Sequence, residues 1–339
     1  MAVLITGGAG FVGLNIAEAL LRRGDAVLLF DLSEPPAAAL EALQQGPGDL
    51  RLFRGDVCDG AALRAAIERH GVERIVHGAA ITADLARERR AARRIAEVNL
   101  GGTIEMLEAA CRHGIRRVVQ LSTGSIFGAA GTASERLDEV RDRPVPETLY
   151  GITKYAAERT GIRYRETRGL DLVAVRLGMV FGRWEYDTGV RDTLSLPLQL
   201  FALAEQGRHA AIPRGLGEDW VYAADVAGAV ALLLDSPEIR EPVYHLSSGL
   251  RWPVTDWCER LRGAFPGFSY ELVDNPEQAN VARNAPRPRS AFSIERLRRD
   301  YGFAPRFGPD EAFRDFLVWR APGLPADVRR LPSLPAGPL

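Results

Sequence analysis

Apolar residues come in short unbroken runs that alternate with stretches of helical spacing. Val3-Leu4-Ile5 reads as a short buried strand, and Phe11 to Leu21 as a helix. Ala26 to Phe30 is a continuous apolar run closing on Asp31, as expected of a strand covered on both faces. Pro35 and Pro36 open a helix that reaches Leu43, Leu50 to Phe53 forms a third strand, and Ala61 to Arg69 another helix. Arg74 to His77 is a fourth strand. Ala91 to His113 carries helical spacing at Ile95, Val98, Ile104, Leu107 and Ala110, and Arg117 to Leu121 is a fifth strand. Tyr150 to Arg168 is a long helix, and Leu170 to Arg176 a strand. Repeated strand–helix units of this length predict an α/β fold with a parallel, doubly wound sheet and right-handed crossovers.

After Arg176 the pattern loosens. Gly178 to Asp192 is rich in glycine, arginine and aromatics and reads as a loop, followed by a helix from Leu194 to Gln206. Asp225 to Leu234 reads as a helix returning to the sheet. Short helices and Pro-rich turns between Trp252 and Phe316 predict a smaller mixed α/β lobe. The expected division is a sheet domain of residues 1–177 with about 213–248, a lobe of 178–212 with 249–321, and a Pro-rich tail over 322–339.

Composition narrows the setting. The net charge of -1 gives no bulk attraction to nucleic acid or an anionic membrane. The basic run Arg87 to Arg94 includes Glu88 and no aromatic residue, so it reads as a solvated face. Cys58, Cys111 and Cys258 form no C-x-x-C pair, and the five histidines form no i, i+4 pair, so neither disulfides nor a metal site is expected. A first strand beginning at Val3 leaves no room for a signal peptide, and the apolar run Ala227 to Leu234 is too short to span a bilayer. A cytoplasmic protein is expected.

The chemistry begins at Thr6-Gly-Gly-Ala-Gly-Phe-Val-Gly13, between the first strand and the first helix. Unpaired N–H groups and the helix dipole attract a pyrophosphate there, and glycines at 7, 10 and 13 let it approach. Asp31, closing the second strand, accepts ribose hydroxyls and repels a 2′-phosphate, which predicts NAD rather than NADP. Asp56 and Val57 follow the third strand, where an adenine ring would lie. Tyr150 and Lys154 share a helix face, where an ammonium favours the phenolate. Thr123 follows the fifth strand at the sheet's ligand-binding end, with Ser122 and Ser125 as alternative hydroxyls.

Taken in order, these motifs resemble the extended short-chain dehydrogenase/reductases, the NAD-dependent epimerase/dehydratase family. They are T-G-G-A-G-F-V-G at 6–13, Asp31, G-D-V at 55–57, H-G-A-A at 77–80, V-N-L-G-G-T at 98–103, L-S-T-G-S-I-F-G at 121–128, Y-G-I-T-K at 150–154 and D-W-V-Y-A-A-D-V-A at 219–227. The resemblance implies a Rossmann-type sheet with a substrate lobe, a catalytic triad of Thr123, Tyr150 and Lys154, and Lys154 on the nicotinamide ribose. The cofactor set it implies is Gly7, Gly10, Phe11, Val12, Gly13, Asp31, Leu32, Asp56, Val57, Ala79, Ala80, Tyr150, Lys154 and Leu177, with Asn99 a structural residue beside it. It also implies a homodimer through a four-helix bundle.

The chain departs from its sugar-nucleotide relatives in the substrate half. Met179 stands where those relatives carry an Asn, Glu218 where they carry an Arg, and Gly124 and Ser125 where the dehydratases carry a carboxylate pair. Dehydration is therefore not expected. The substrate candidates are Thr82, Ser125, Met179, Arg183 and Arg191, with a second basic stretch from Arg283 to Arg289. The expected activity is NAD-dependent hydride transfer at a secondary alcohol of a small polar substrate, a sugar acid or polyol. The alternatives are a nucleotide-sugar epimerase and an NAD-binding protein without turnover.

Overall fold

The structure is a computed structural model and describes residues 2–187, 189, 191–215, 217–282 and 288–320. The Pro-rich tail, and Arg283 in the basic stretch, lie outside the described residues.

The first half alternates as its apolar spacing predicts: β1 (Ala2–Thr6), α1 (Phe11–Arg22), β2 (Ala26–Asp31), α2 (Ala37–Gln44), β3 (Asp49–Arg54), α3 (Gly60–His70) and β4 (Val72–His77). Then come α4 (Leu85–Ala96), a π-helical turn over Glu97–Gly101, α5 (Gly102–Arg112), β5 (Arg117–Thr123), a 3₁₀ turn over Gly124–Ala130, β6 (Arg136–Leu137), α6 (Leu149–Arg168) and β7 (Leu172–Leu177). The second half holds β8 (Met179–Phe181), α7 (Leu196–Glu205), β9 (His209–Pro213), β10 (Gly217–Glu218), β11 (Trp220–Tyr222), α8 (Ala223–Asp235) and β12 (Val243–Leu246). It ends with β13 (Trp252–Pro253), α9 (Val254–Ala264), β14 (Ser269–Val273), β15 (Ala291–Phe292), α10 (Glu295–Tyr301) and α11 (Pro309–Arg320).

Seven parallel strands form one sheet in the order β12-β7-β5-β4-β1-β2-β3. Successive connections leave β1 and β4 in opposite directions, so a crevice opens at their carboxyl ends. Every residue of β1 and β7 is buried, which is why β1 reads as an apolar run up to Thr6 and β7 is apolar but for Arg176. β3 is the edge strand, and Asp49, Arg51 and Arg54 are exposed along it, charges that discourage further strand pairing.

In the second half, β9 and β14 pair in parallel and α7, α9 and α11 pack around an aromatic core. Phe181 stands at its centre, edge-on to Trp252 and Trp257. α8 packs along α1 and α10 along β12, so these late segments return to the large sheet. β15 pairs with β6, tying the end of the chain to the turn after Thr123.

The helical region expected over 91–113 begins earlier, at Leu85, and is broken by the π-helical turn. The break has a polar cause. Asn99 turns inward, its Oδ1 accepting from Ile81 N at 2.8 Å and its Nδ2 donating to Ile81 O at 3.1 Å and Thr153 Oγ1 at 3.1 Å.

A buried hydrogen-bond chain holds the crevice. Thr103 Oγ1 donates to the Asn99 carbonyl at 2.8 Å, so its lone proton is committed. His77 Nε2 must therefore donate to Thr103, at 2.9 Å, and His77 Nδ1 accepts from Thr6 Oγ1 at 2.7 Å. Thr6 Oγ1 in turn accepts from Gly78 N and Ala79 N at 3.2 and 3.3 Å. The imidazole is neutral: burial, with the nearby Lys154 charge, lowers its pKa from 6.5 to about 3. The unfolded chain takes up this proton near its ordinary pKa and the folded chain does not, so stability falls as pH drops below about 6.5. Between pH 6.5 and 5, His77→Gln should flatten the pH dependence of the unfolding free energy, measured by urea titration, by up to about 1.4 kcal/mol per pH unit; equal slopes in both proteins would refute the assignment.

Candidate active site

The glycine turn packs backbone on backbone. Gly7 has φ 69°, and a Cβ there would lie 2.8 Å from Ala79 N, at the end of β4. At Gly13 a Cβ would lie 2.4 Å from the Gly7 carbonyl oxygen, so α1 sits directly on the turn. Gly10 is the N-cap of α1 and supplies no capping side chain, which leaves the first-turn N–H groups to a ligand. Phe11 is buried and Val12 half-buried behind them.

Around this cradle stand the other candidates for cofactor contact. Asp31 Oδ2 accepts from Ala9 N at 3.0 Å and Oδ1 from Ser33 N at 3.3 Å. Burial raises its pKa, and the Ser33 and Ala9 N–H groups oppose that rise. Leu32 is exposed beside it, and Ala79 and Ala80 are half-buried beyond β4. Asp56 accepts from Cys58 N at 2.9 Å and from Arg94 Nη2 at 2.7 Å. Burial pushes its pKa up, but those two partners outweigh it and the net shift is downward. Val57 packs against Gly102 of α5, and Leu177 is buried at the end of β7. The acceptor at Asp31 and a turn that admits no Cβ fit a dinucleotide.

The catalytic candidates converge at the ends of β5 and α6. Thr148 caps α6, its hydroxyl accepting from Gly151 N at 3.1 Å, which fixes Tyr150 in the first helical turn. The phenol is within hydrogen-bonding reach of Thr123 and Thr82. Ser125 lies next to this pair, its Oγ 3.4 Å from Thr123 Oγ1. Ser122 faces away and donates to Glu158 Oε2 at 2.6 Å. Lys154 is buried, with Nζ donating to the Leu121 carbonyl at 2.6 Å. Burial lowers its pKa to about 8, against the pull of Glu158. Glu158 is itself paired with Arg176 at 2.7 Å, and both are buried.

The electrostatics of Tyr150 differ from the sequence expectation. Burial raises its pKa, while Thr123, Thr82 and the charge of Arg191 pull it down. The cation acting on the phenol is thus Arg191 from the second half of the chain, because the Lys154 ammonium is turned to a backbone carbonyl.

Of the two loop arginines, Arg191 reaches the site and Arg183 does not. Arg191 pairs with buried Glu185 at 2.8 Å and lies over the Phe11 ring at 5.5 Å, and its backbone bridges to Thr82. Arg183 donates through Nε to Asp315 at 2.8 Å and lies 3.9 Å from Glu18, so it joins the lobe to α1. Met179 is half-buried against the aromatic core. The Glu218 side chain lies outside the described residues. Nor is the basic run of α4 simply solvated: Arg87 binds Asp192 at 2.5 Å, and Arg94 binds Asp56.

The loop after β8 contributes residues that apolar spacing did not single out. Tyr186 Oη donates to the Ala9 carbonyl, Trp184 Nε1 donates to Glu18 at 2.8 Å, and Asn15 Nδ2 donates to the Arg183 carbonyl at 2.7 Å. Residues 183–187 therefore form a strap from the lobe across the glycine turn. The signal available in the sequence was the aromatic cluster Trp184-Glu-Tyr186 inside a loop that is otherwise polar. Arg289, at the C-terminal end of the basic stretch, is buried beside Gly124.

Residues 3–246 match the model of the NAD dependent epimerase/dehydratase family. The chain belongs to that family. It is an NAD-dependent enzyme of the extended short-chain dehydrogenase/reductase type. Its relatives include a dTDP-glucose 4,6-dehydratase of Streptomyces niveus, 28% identical over 94% of this chain and 91% of that protein. Sterol demethylase protein B of Methylococcus capsulatus is 32% identical over 94% of this chain and 98% of its own length. The UDP-glucose 4-epimerase of Thermus thermophilus, solved in complex with NAD, is 28% identical with a TM-score of 0.75, covering 94% of this chain and 98% of that one. No helix among the described residues is long and apolar enough to cross a membrane.

Removing the strap's hydroxyl contact in Tyr186→Phe should speed NAD dissociation by roughly 3- to 10-fold, the effect of one hydrogen bond. Stopped-flow displacement measures this, and an unchanged rate would show that the strap does not hold the cofactor.

Proposed function

We propose that this enzyme epimerises a nucleotide-linked sugar, removing a hydride from a secondary alcohol and returning it to the other face. The observation that carries this reading is the strap. By joining the substrate lobe to the glycine turn, it favours a cofactor that stays through both half-reactions. The likeness to the Thermus thermophilus epimerase supports it.

NAD, when bound, supplies the hydride acceptor. As a phenolate, Tyr150 takes the hydroxyl proton in oxidation, and as the phenol so formed it gives the proton back in reduction. Thr123 holds the substrate oxygen against the phenol. Lys154, with a pKa of about 8, carries a charge that supports a role in binding the nicotinamide ribose. Gly124 and Ser125 offer no carboxylate for dehydration.

A net dehydrogenase is the second reading. It is favoured by the 32% identity to sterol demethylase protein B, and by Met179, which offers no amide to a diphosphate. NMR of UDP-glucose and UDP-glucuronic acid incubated with the NAD-loaded enzyme separates the two. Epimer without accumulating NADH supports the first reading; stoichiometric NADH supports the second. Tyr150→Phe should lower kcat about 100-fold or more with NAD affinity unchanged, since a general acid–base group is lost. Undiminished turnover would remove Tyr150 from the mechanism.

We also propose a homodimer across α5 and α6, supported by Ile104 and Ile152, which are 37% and 46% exposed on those helices. Light scattering should give twice the chain mass, and Ile104→Glu with Ile152→Glu should halve it. A monomeric parent would refute the interface.

A further inference from the structure

The basic run of α4 reads from the sequence as a solvated face, yet its first arginine holds the loop that carries Arg191. Arg87 Nε donates to Asp192 Oδ1 at 2.8 Å and Oδ2 at 2.7 Å, and its Nη2 donates to the Gly189 carbonyl at 2.8 Å. Asp192 is fixed from a second side: its Oδ2 accepts from Asp84 N at 3.0 Å, and its own N–H donates to the Thr82 carbonyl at 3.3 Å. The Arg87 and Asp192 side chains are only 18% and 13% exposed, so water screens this pair far less than an ion pair on an open surface. Arg191 is the next residue toward the site. Its backbone bridges to Thr82, which is within hydrogen-bonding reach of the Tyr150 phenol, and its guanidinium pairs with buried Glu185 at 2.8 Å. The segment that Arg87 anchors therefore sets where the Arg191 guanidinium stands relative to Tyr150. From the same helix, Glu88 Oε1 accepts from Leu149 N at 2.7 Å, so α4 grips both the loop and the helix that bears the phenol.

We propose that Arg87 is a positioning residue: by clasping Asp192 against α4, it holds the Arg191 guanidinium beside the Tyr150 phenol. The inference rests on Tyr150 being the proton-transfer group of the proposed reaction. A fixed cation stabilises a phenolate more than a phenol, and it does so only while its distance is kept. The other charged groups around the phenol are Lys154 on its own helix, with its ammonium on the Leu121 carbonyl, Glu88 on the N–H of Leu149, and Arg289 beside Gly124. Glu185 competes for the Arg191 guanidinium and is anchored independently, accepting from Ser195 N at 2.6 Å. A loop released from α4 leaves Arg191 with that carboxylate rather than with the phenol.

Tyrosine labelled with carbon-13 at Cζ tests this by NMR of the NAD-loaded protein, with the Tyr150 signal assigned by its loss in Tyr150→Phe. Arg87→Met should move the ionisation midpoint of Tyr150 up by about one pH unit, the scale of one charge displaced by a few ångströms at the effective dielectric of a protein. Asp192→Asn should move it in the same direction. Arg87→Lys, which keeps the charge but not the planar fork, should move it less than Arg87→Met does. Arg191→Met should shift the midpoint at least as far, and adding Arg87→Met to it should change nothing further, because one residue acts through the other. An unmoved midpoint in Arg87→Met overturns the assignment, as does a shift that persists in full on the Arg191→Met background. Loss of NAD binding in both Arg87→Met and Asp192→Asn also overturns it, since the clasp would then support the fold alone. The titration needs no sugar, so failure of the epimerase reading shows separately, as no epimer formed from UDP-glucose while the midpoint still shifts.

Discussion

The neutral imidazole of His77 is the constraint on which the rest of the site depends. Its two nitrogens bridge Thr6 at the end of β1 and Thr103 in the first turn of α5, and the hydroxyl of Thr6 carries the chain on to Gly78 and Ala79. These groups line the crevice where the strand order reverses. Gly7 can pass within contact distance of Ala79 only because that end of β4 is held in place. Asn99, at the other end of the chain, reaches Thr153 on the helix that carries Tyr150 and Lys154. A single polar network thus sets the glycine turn and the catalytic helix relative to each other. His77 Nδ1 accepts the Thr6 hydroxyl proton, so a doubly protonated imidazole has no place there.

Charge inside the molecule follows the same economy of partners. Glu158 is fully buried with Arg176 and Ser122, and Glu185 with Arg191 and Ser195. Leaving either carboxylate unpaired would expose it to the full penalty of burial. The pairing has a functional side. Glu158 sits one helical turn beyond Lys154 and offsets part of the desolvation that lowers its pKa. Glu185 fixes Arg191 where its charge reaches the phenol of Tyr150.

The sheet was legible because buried parallel strands leave apolar runs, as in Val3 to Ile5 of β1 and Ala26 to Phe30 of β2. The dinucleotide half was legible because backbone packing demands glycine, and glycine is visible in a sequence. The π-helical turn at Asn99 was hidden, since it arises from side-chain bonds to Ile81 and Thr153 distant in the chain. So was the difference between Arg183 and Arg191: both lie in one loop, and only the position of Asp315 and Glu185 separates a lobe tie from a site residue. Spacing placed Lys154 beside Tyr150 but carried no information about the Leu121 carbonyl that draws its ammonium away. The turn at Gly124 read as the loss of a carboxylate. Its cause, an arginine arriving from more than a hundred residues downstream, is a tertiary fact.

Tyr186 donates to the carbonyl of Ala9, and the N–H of the same residue donates to Asp31. One residue, Ala9, therefore connects the loop after β8 to the carboxylate that closes β2. The loop that meets Thr82 through the Arg191 backbone thus also touches, through Ala9, the far side of the sheet's carboxyl edge at Asp31.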